Sequence, residues 1–224
     1  MTATPPASAI GTLHQFLWSR TRINKKRRRL LAFRRFEEAI KSSPPGSFAF
    51  DCGANVGSIT SKFLNSGLRV VAFEPDKFAR EILERNYGSN TNLEVVPAAV
   101  GIRNDTALLR RHKRFESNPA YLTISSSIVD RPNVDDQNSE EVRVINLIDK
   151  IEKFQGEISI LKLDIEGSEV PILQSMLDSG LHQKVKFIFV ETHERFSHKI
   201  AWQTAQLRAR IKKGHLSHIN LDHN

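Results

Sequence analysis

The fold is decided by the stretch DCGANVGS at residues 51–58. An apolar run precedes it and a helical pattern follows it, so it predicts a glycine-rich turn that joins a strand to a helix. Such a turn lets the backbone approach a ligand closely and directs the free N–H groups of the helix N-terminus at that ligand. We therefore expect a ligand site at the carboxyl end of the first strand. The alternative is that the turn only packs the helix against the strand.

Short apolar runs alternate with helical patterns along the rest of the chain. Strands separated by helices of about 10–15 residues are typical of an α/β fold, with a mostly parallel sheet and helices on both faces. Residues 103–145 are largely polar and break the alternation, so we expect a short β element and a mobile loop there. The predicted strands are at about Phe48–Cys52, Leu68–Phe73, Leu93–Pro97, Ser159–Asp164 and Lys186–Glu191, and the predicted helices at about Gly57–Leu64, Lys77–Tyr87, Ser168–Asp178 and Lys199–Lys212.

The basic residues are concentrated at the N-terminus. Residues 1–36 hold nine basic residues and no acidic one, whereas the rest of the chain holds 24 basic and 25 acidic residues. The net charge of +8 therefore reflects a basic leader on a nearly neutral domain. We expect a flexible leader at residues 1–22, a basic helix at 23–45 and one folded domain at 46–224.

The basic helix is predicted to end before Pro44-Pro45-Gly46, which cannot continue it. Leu30, Phe33, Phe36 and Ile40 recur at helical spacing, so they predict one apolar stripe against the core. The charged residues before Leu30 occupy every side of the helix, and we expect them to stay solvated or to contact something negative.

Composition excludes several classes of protein. Cys52 is the only cysteine, which excludes an internal disulfide framework and a zinc ribbon. No apolar run approaches the roughly 18–20 residues that a membrane span requires. The N-terminus also lacks the basic start of a secretory signal. We expect a cytoplasmic protein in a reducing environment.

Glu74 ends the second predicted strand and follows Gly53 by 21 positions. An acidic side chain about 20 residues beyond such a turn can bind both hydroxyls of a ribose. The dinucleotide fingerprint requires glycine where Asn55 stands and glycine or alanine where Ser58 stands, so the glycine that faces the pyrophosphate is missing and NAD is disfavoured. Asp51, directly at the strand end, suits a ligand that carries an ammonium or a sulfonium. Together these residues favour S-adenosylmethionine.

Acidic residues also follow the fourth and fifth predicted strands. The fourth ends in LKLDIEGSE at residues 161–169, and the fifth in FVETHE at residues 189–194. In an open α/β sheet these carboxyl ends face the ligand crevice. Carboxylates and an imidazole there can act as a general base or bind a hard metal ion, and their alternative role is to cap helices and form salt bridges. The candidates are Asp164, Glu166, Glu191 and His193.

Four motifs of the chain, taken in order, resemble those of the FkbM family. Members of that family are class I methyltransferases that use S-adenosylmethionine to methylate oxygen atoms. The resemblance covers about residues 46–224, which would form the methyltransferase domain. The motifs are DCGANVG at 51–57, FEP at 73–75, LKLDIEG at 161–167 and VETH at 190–193, and INLD at 219–222 resembles the C-terminal strand of the family.

The resemblance implies a Rossmann-like class I methyltransferase fold, in which a mostly parallel sheet of seven strands has an antiparallel last strand. It places the methionine part of S-adenosylmethionine over the glycine-rich turn, the ribose at Glu74 and the adenine along Pro97–Ala99. The cofactor-binding residues that it implies are Asp51, Gly53, Asn55, Gly57, Glu74, Pro75, Ala98 and Asp164.

The methyl group of this cofactor is already electrophilic, so the protein must align an acceptor oxygen and remove its proton. Glu191 or His193 is the candidate base, and Asp164 or Glu166 would orient the acceptor or the cofactor ammonium. A divalent cation across Asp164, Glu166 and Glu191 would serve the same purpose by lowering the pKa of the hydroxyl group. The sequence leaves both mechanisms open.

The favoured acceptor is a hydroxyl of a sugar, a glycolipid or a secondary metabolite. The alternative is a ribose 2′-O-methyltransferase of RNA, in which the basic leader binds phosphates, but nucleic acid is the less favoured partner. Lys162, Asp164 and Glu191 match only part of the catalytic tetrad of such enzymes, because no second lysine is placed. A binding module without turnover is disfavoured by the intact motifs.

The basic leader has three interpretations. It is a solvated helix face, it binds RNA, or residues 20–35 contact an anionic membrane surface, where each basic residue contributes about 1 kcal/mol. A membrane surface would suit a lipid-linked acceptor. We expect acceptor choice to depend on residues 103–145, and the sequence leaves the oligomeric state open.

Overall fold

The computed structural model describes residues 27–112, 126, 128 and 134–222. The predicted leader at residues 1–22, the predicted start of the basic helix and most of residues 113–133 lie outside the described residues. The helices are α1 (27–42), α2 (Ser58–Asn65), α3 (Lys77–Tyr87), α4 (Leu147–Lys153), α5 (Glu169–Ser179) and α6 (His198–Lys213). The strands are β1 (Phe48–Cys52), β2 (Arg69–Phe73), β3 (Leu93–Val96), β4 (Ala99–Gly101), β5 (Asp105–His112), β6 (Val134–Asn146), β7 (Ile158–Leu163), β8 (Val185–Val190) and β9 (Ile219–Asn220), and short 3₁₀ helices span Leu181–Lys184 and Glu194–Phe196.

Six of these strands form one parallel sheet in the order β3-β2-β1-β7-β8-β9. The order changes direction between β1 and β7, which is the switch point at which open α/β sheets bind ligands. β7 is buried along its whole length, as expected for the central strand of a parallel sheet. Cys52 at the end of β1 pairs with Leu163 on one side and with Phe73 on the other. The carboxyl ends of β1, β2 and β7 therefore meet at one edge.

Helices cover both faces of the sheet, as the alternation of apolar and helical patterns predicts. On one face Phe36 of α1, Phe63 of α2 and Leu83 of α3 are buried in one apolar cluster. On the other face Leu147 and Ile172, from α4 and α5, belong to a second cluster, together with part of α6. Among the described residues, no helix combines the length and the apolar content that crossing a bilayer requires.

The implied seventh strand and the antiparallel last strand are both corrected by the structure. The large sheet has six strands among the described residues, and β9 pairs with β8 in parallel, with Ile188 opposite Ile219. The physical reason is the connection: α6 crosses over between β8 and β9, and a helical crossover returns the chain in the same direction. The α/β class with a parallel sheet and helices on both faces is confirmed.

The apolar stripe predicted on α1 is partly wrong. Phe36 and Ile40 are buried, but Leu30 and Phe33 are about half exposed. Phe36 lies between Phe63 and Phe189, with ring centroids 5.7 and 5.0 Å away, and this contact sets the rotation of the helix. The inward face therefore consists of Ala32, Phe36, Ala39 and Ile40.

Residues 103–145 contain the β element that was predicted there. β5 and β6 form an antiparallel pair, and β4 joins β6 to complete a three-stranded sheet. This small sheet is tied to the end of β2, because the guanidinium of Arg111 donates to both carboxylate oxygens of Asp76, at 2.9 and 3.1 Å. The predicted loop lies outside the described residues, apart from Ser126 and Ile128.

Candidate active site

A cavity of about 330 Å³ opens at the carboxyl edge of the large sheet and is bounded on one side by the small sheet. Both sheets contribute to its lining, so a ligand there would contact the glycine-rich turn and the small sheet together. Its lining includes Gly53, Ala54, Asn55, Val56, Phe73, Glu74, Pro75, Ala98, Ala99, Leu109, Lys162, Asp164, Ile165, Glu166, Glu191 and Arg195.

The turn after β1 is built by residues with left-handed backbones. Gly53, Asn55 and Gly57 have φ angles of +79°, +49° and +94°. A side chain at Gly53 would overlap the carbonyl oxygen of Asp164, and one at Gly57 would lie 2.6 Å from Leu83 of α3. Both glycines are therefore required by contacts within the protein, which the sequence reasoning had weighed only as an alternative to ligand approach.

Glu74 connects this turn to the end of β2. One carboxylate oxygen accepts the N–H of Asn55 at 2.7 Å, and the other accepts the N–H of Asp76 at 2.8 Å. Burial raises the pKa of Glu74 from 4.5 to about 7, although the two N–H donors act in the opposite direction. Each oxygen keeps a second lone pair, so the carboxylate can still accept the hydroxyls of a ribose.

Lys162 and Asp51 form a buried ion pair beneath the turn. The ammonium lies 3.2 Å from Oδ1 of Asp51 and donates to the carbonyl of Gly53 at 2.9 Å, while Thr60 donates to Oδ2 of Asp51 at 2.7 Å. Burial alone would lower the pKa of Lys162, but the carboxylates of Asp51 and Asp164 raise it. Lys162 thus stays charged and holds the carbonyl of the turn in place.

The loop after β7 carries the motif DIEG, and Glu169 organises it from the first turn of α5. The Glu169 side chain is almost fully buried and accepts the N–H groups of Ile165 at 3.0 Å and Gly167 at 3.1 Å. Between these two donors, Glu166 adopts a left-handed φ of +59°. Strain of this kind persists only where the surroundings fix it, and here the Glu169 carboxylate fixes it.

His193 is buried among three carboxylates. Its Nδ1 lies 2.8 Å from Glu169, and its Nε2 lies 3.4 Å from Glu166 and 3.9 Å from Asp164. The ring also stacks on Phe196, with centroids 4.9 Å apart. Burial alone would lower the pKa of His193, but the hydrogen bond to Glu169 and the nearby carboxylates raise it.

Glu191 is partly buried and faces the cavity at the end of β8. Burial and then the Asp164 carboxylate raise the pKa of Glu191 from 4.5 to about 7, while His193 acts in the opposite direction. A carboxyl group with such a pKa exchanges its proton near neutral pH, which is what a general base requires.

Three side chains of this site are close enough to hold a cation. Ligand atoms of Asp164, Glu191 and His193 all lie within 4.8 Å of one another. The sequence had grouped Glu166 with Asp164 and Glu191, and the structure puts His193 in place of Glu166 among the described residues. Two carboxylates and one imidazole form a donor set that suits a divalent transition-metal ion.

The predicted site residues converge on one edge of the sheet, at two depths. Asp51, Gly57 and His193 are buried and are not part of the cavity lining. The others line the cavity, namely Gly53, Asn55, Glu74, Pro75, Ala98, Asp164, Glu166 and Glu191.

Three residues of the site were missed or underrated by the sequence reasoning. Glu169 is the last residue of the LKLDIEGSE motif. The signal that could have identified it was an acidic residue in the first turn of the predicted helix, two positions after a glycine. Lys162 was noted only as part of an incomplete tetrad, and its pairing with Asp51 spans 111 positions of the chain, for which one sequence has no signal. Arg195 lines the cavity from a 3₁₀ helix and had no signal.

The fold and the site agree with a comparison against known protein families. The model of the Methyltransferase FkbM domain matches residues 51–215, which is more than half of the chain. The match begins at the carboxylate paired with Lys162 and covers the small sheet and the large sheet, except for the first residues of β1 and for β9. No match to a curated protein was found. The chain therefore belongs to the FkbM methyltransferase family.

Proposed function

We propose that this methyltransferase transfers the methyl group of S-adenosylmethionine to a hydroxyl group of a sugar, a glycolipid or a secondary metabolite. The observation that carries the proposal is the position of Glu191, whose carboxyl group lines the cavity and has a pKa raised to about 7. A base of this strength suits removal of a hydroxyl proton as the oxygen is methylated.

The cofactor would lie along the edge formed by β1, β2 and β7. The turn around Gly53 and Asn55 would face its methionine part, and Glu74 would accept its ribose hydroxyls. Pro75 and Ala98 offer apolar surface to the adenine. Asp51 would not contact the cofactor directly. Its ion pair with Lys162 would hold the ammonium that fixes the carbonyl of Gly53.

Bound S-adenosylmethionine supplies an electrophilic methyl group on a positively charged sulfur. The residues of the chain would hold the acceptor oxygen in line with that methyl group, and Glu191 would take the hydroxyl proton as the carbon–oxygen bond forms and the carbon–sulfur bond breaks. His193, fixed by Glu169, would keep Asp164 and Glu166 in position. Asp164 would then orient the acceptor or the cofactor ammonium.

Calorimetric titration with S-adenosylmethionine tests the cofactor. We expect binding by the wild type and by Glu94→Gln, an exposed control, and strongly reduced binding by Glu74→Gln. NAD should not bind, because Asn55 and Ser58 replace the small residues of a dinucleotide site. A preference for NAD would overturn the proposal.

A second variant tests the base. We expect Glu191→Gln to bind S-adenosylmethionine normally but to lower kcat on a hydroxyl acceptor by roughly 10²–10⁴-fold, because the amide cannot accept the proton. The rise of kcat with pH near 7 should also disappear, since that rise reports the titration of Glu191. Unchanged turnover in this variant would contradict the assignment of the base.

Metal-assisted transfer is the second candidate mechanism. Nε2 of His193 is buried without a hydrogen-bond partner among the described residues, and it lies near Asp164 and Glu191. Asp164, Glu191 and His193 would hold the ion, which would supply Lewis-acid chemistry that lowers the pKa of the acceptor hydroxyl. Binding of manganese(II), followed by electron paramagnetic resonance, together with turnover that a chelator abolishes and manganese restores, would favour this mechanism over a free Glu191 base.

A further inference from the structure

The first half of α1 exposes large apolar side chains. The exposed fractions of Leu30, Leu31 and Phe33 are 51%, 54% and 48%. They are half of the six large apolar residues that are exposed in the described part of the chain, and the other three are scattered. A cluster of exposed apolar side chains on one short segment marks a contact surface rather than random exposure.

Basic side chains surround this apolar cluster. Arg27, Arg34 and Arg35 are exposed within about two and a half turns of the helix. We call these three arginines, together with Leu30, Leu31 and Phe33, the α1 face. The nearest acidic residue on the helix, Glu37, is paired with Lys62 at 2.9 Å. Glu38, exposed one turn after Arg34, can offset only one of the three arginines, so the α1 face combines apolar side chains with an excess of positive charge.

The first described turn of α1, which leads into the α1 face, lies near the edge of the sheet where the cavity opens. Arg28, next to it on the helix, forms an ion pair with Asp222 beyond β9, at 3.9 Å. Arg28 and Arg29 also line a small crevice with Thr192 and Glu194, which follow the candidate base Glu191 in the chain. The N-terminal end of α1 therefore lies next to the rim of the active site.

We propose that the α1 face docks the protein on an anionic membrane surface, with the rim of the active site next to the lipid headgroups. Leucine and phenylalanine side chains insert below the headgroups, and arginines bind the lipid phosphates. RNA is the weaker fit, since it would use the arginines but offers no place for Leu30 and Leu31, which cannot stack on bases as aromatic rings do. This docking goes beyond the proposed function and does not depend on it.

Flotation of the full chain with lipid vesicles tests the proposal. We expect the wild type to float with phosphatidylcholine vesicles that contain phosphatidylglycerol and not with phosphatidylcholine alone. Leu30→Ser with Leu31→Ser should weaken binding on the order of tenfold, because two partly inserted side chains are lost. Arg27→Gln with Arg34→Gln should weaken binding on the order of fivefold for each charge removed.

A matched control distinguishes binding through the α1 face from nonspecific binding of any exposed apolar side chain to vesicles. Ile102 is exposed to the same extent, 49%, but directly follows β4 of the small sheet and is not part of α1, so Ile102→Ser should bind vesicles like the wild type. Thermal unfolding and binding of S-adenosylmethionine should be normal in all three variants, since none of these side chains belongs to the core or the site.

Three outcomes would overturn the proposal. The first is no flotation of the wild type with anionic vesicles. The second is flotation that the leucine substitutions leave unchanged, which would reduce the surface to a general polyanion site. The third is tighter binding to single-stranded RNA than to anionic vesicles, with the same dependence on Arg27 and Arg34, which would assign the surface to nucleic acid.

Discussion

Gly53→Ala is the substitution whose effect the structure specifies most closely. Gly53 has a φ of +79°, and a Cβ atom there would overlap the carbonyl oxygen of Asp164 and lie 3.0 Å from its carbonyl carbon. Both of these atoms belong to the backbone of Asp164, which is held in place because its N–H donates to the carbonyl of Cys52 at 3.1 Å. Gly53 cannot move away either, since its N–H donates to Phe73 at 2.9 Å and its carbonyl accepts from Lys162 at 2.9 Å.

Two effects add up in this variant. An alanine in the left-handed region costs about 1–2 kcal/mol. Forcing a methyl group into a packed site costs about 1–3 kcal/mol more. We therefore expect Gly53→Ala to lower the free energy of unfolding by about 2–5 kcal/mol.

Gly180→Ala is the matched control. Gly180 has a φ of +75°, but a Cβ atom there would meet nothing within 4 Å. The control thus carries the backbone cost alone, about 1–2 kcal/mol. Urea unfolding of both variants without any cofactor gives the difference that is due to the overlap with Asp164.

An equal loss of stability in the two variants would refute the reasoning. If Gly53→Ala were as stable as the control but failed to bind S-adenosylmethionine, the glycine would serve only the approach of the ligand. A larger loss of stability in Gly53→Ala than in Gly180→Ala, measured without cofactor, would show instead that Gly53 is needed for the ends of β1 and β7 to pack together.

Three further predictions concern groups around the site. Glu169→Gln should move the pKa of His193 down toward its ordinary value, measured by NMR titration of the ring, because the carboxylate that raises it is gone. Glu74 binds its proton more tightly when folded, with a pKa of about 7 against 4.5, so its stabilising contribution is present at low pH and lost as the pH rises through 7. The unfolding free energy of the wild type should therefore fall with rising pH more than that of Glu74→Gln, measured by urea unfolding. Arg111→Lys should lose the paired contacts to Asp76, and hydrogen exchange in β5 should then rise more than in β1.

The strands and turns of the large sheet could be predicted because their signals are local. Each central strand is a short apolar run with a turn or a helix on either side, and the predicted and observed bounds differ by no more than one or two residues. α3, predicted and observed at Lys77–Tyr87, also has a visible start, since the Asp76 side chain accepts the N–H of Phe78 at 2.9 Å.

The errors concern contacts that are distant in the chain. The rotation of α1 depends on Phe189, more than 150 positions beyond Phe36, so the spacing of Leu30 and Phe33 alone was misleading. The direction of β9 depends on the path of α6 rather than on the two residues of the strand. The small sheet pairs polar stretches, in which alternation is weak and the register is set by the partner strand.

Depth decides which carboxylate of the site is available to a positively charged ligand. The sequence places Asp51 at the strand end and assigns it to that ligand, but in the structure the side chain is fully buried and paired with Lys162 at 3.2 Å. Asp164 and Glu191 lie further out and line the cavity. The ammonium of Lys162 is 3.6 Å from Asp164, and the ring of His193 is also near, but these two groups offset only part of the negative charge. Because an internal ion pair presents little net charge to a ligand, a cationic group gains more from Asp164, which lines the cavity, than from the buried Asp51. We therefore expect the positive charge of the cofactor to be recognised at the end of β7, and the end of β1 to contribute the shape of the turn.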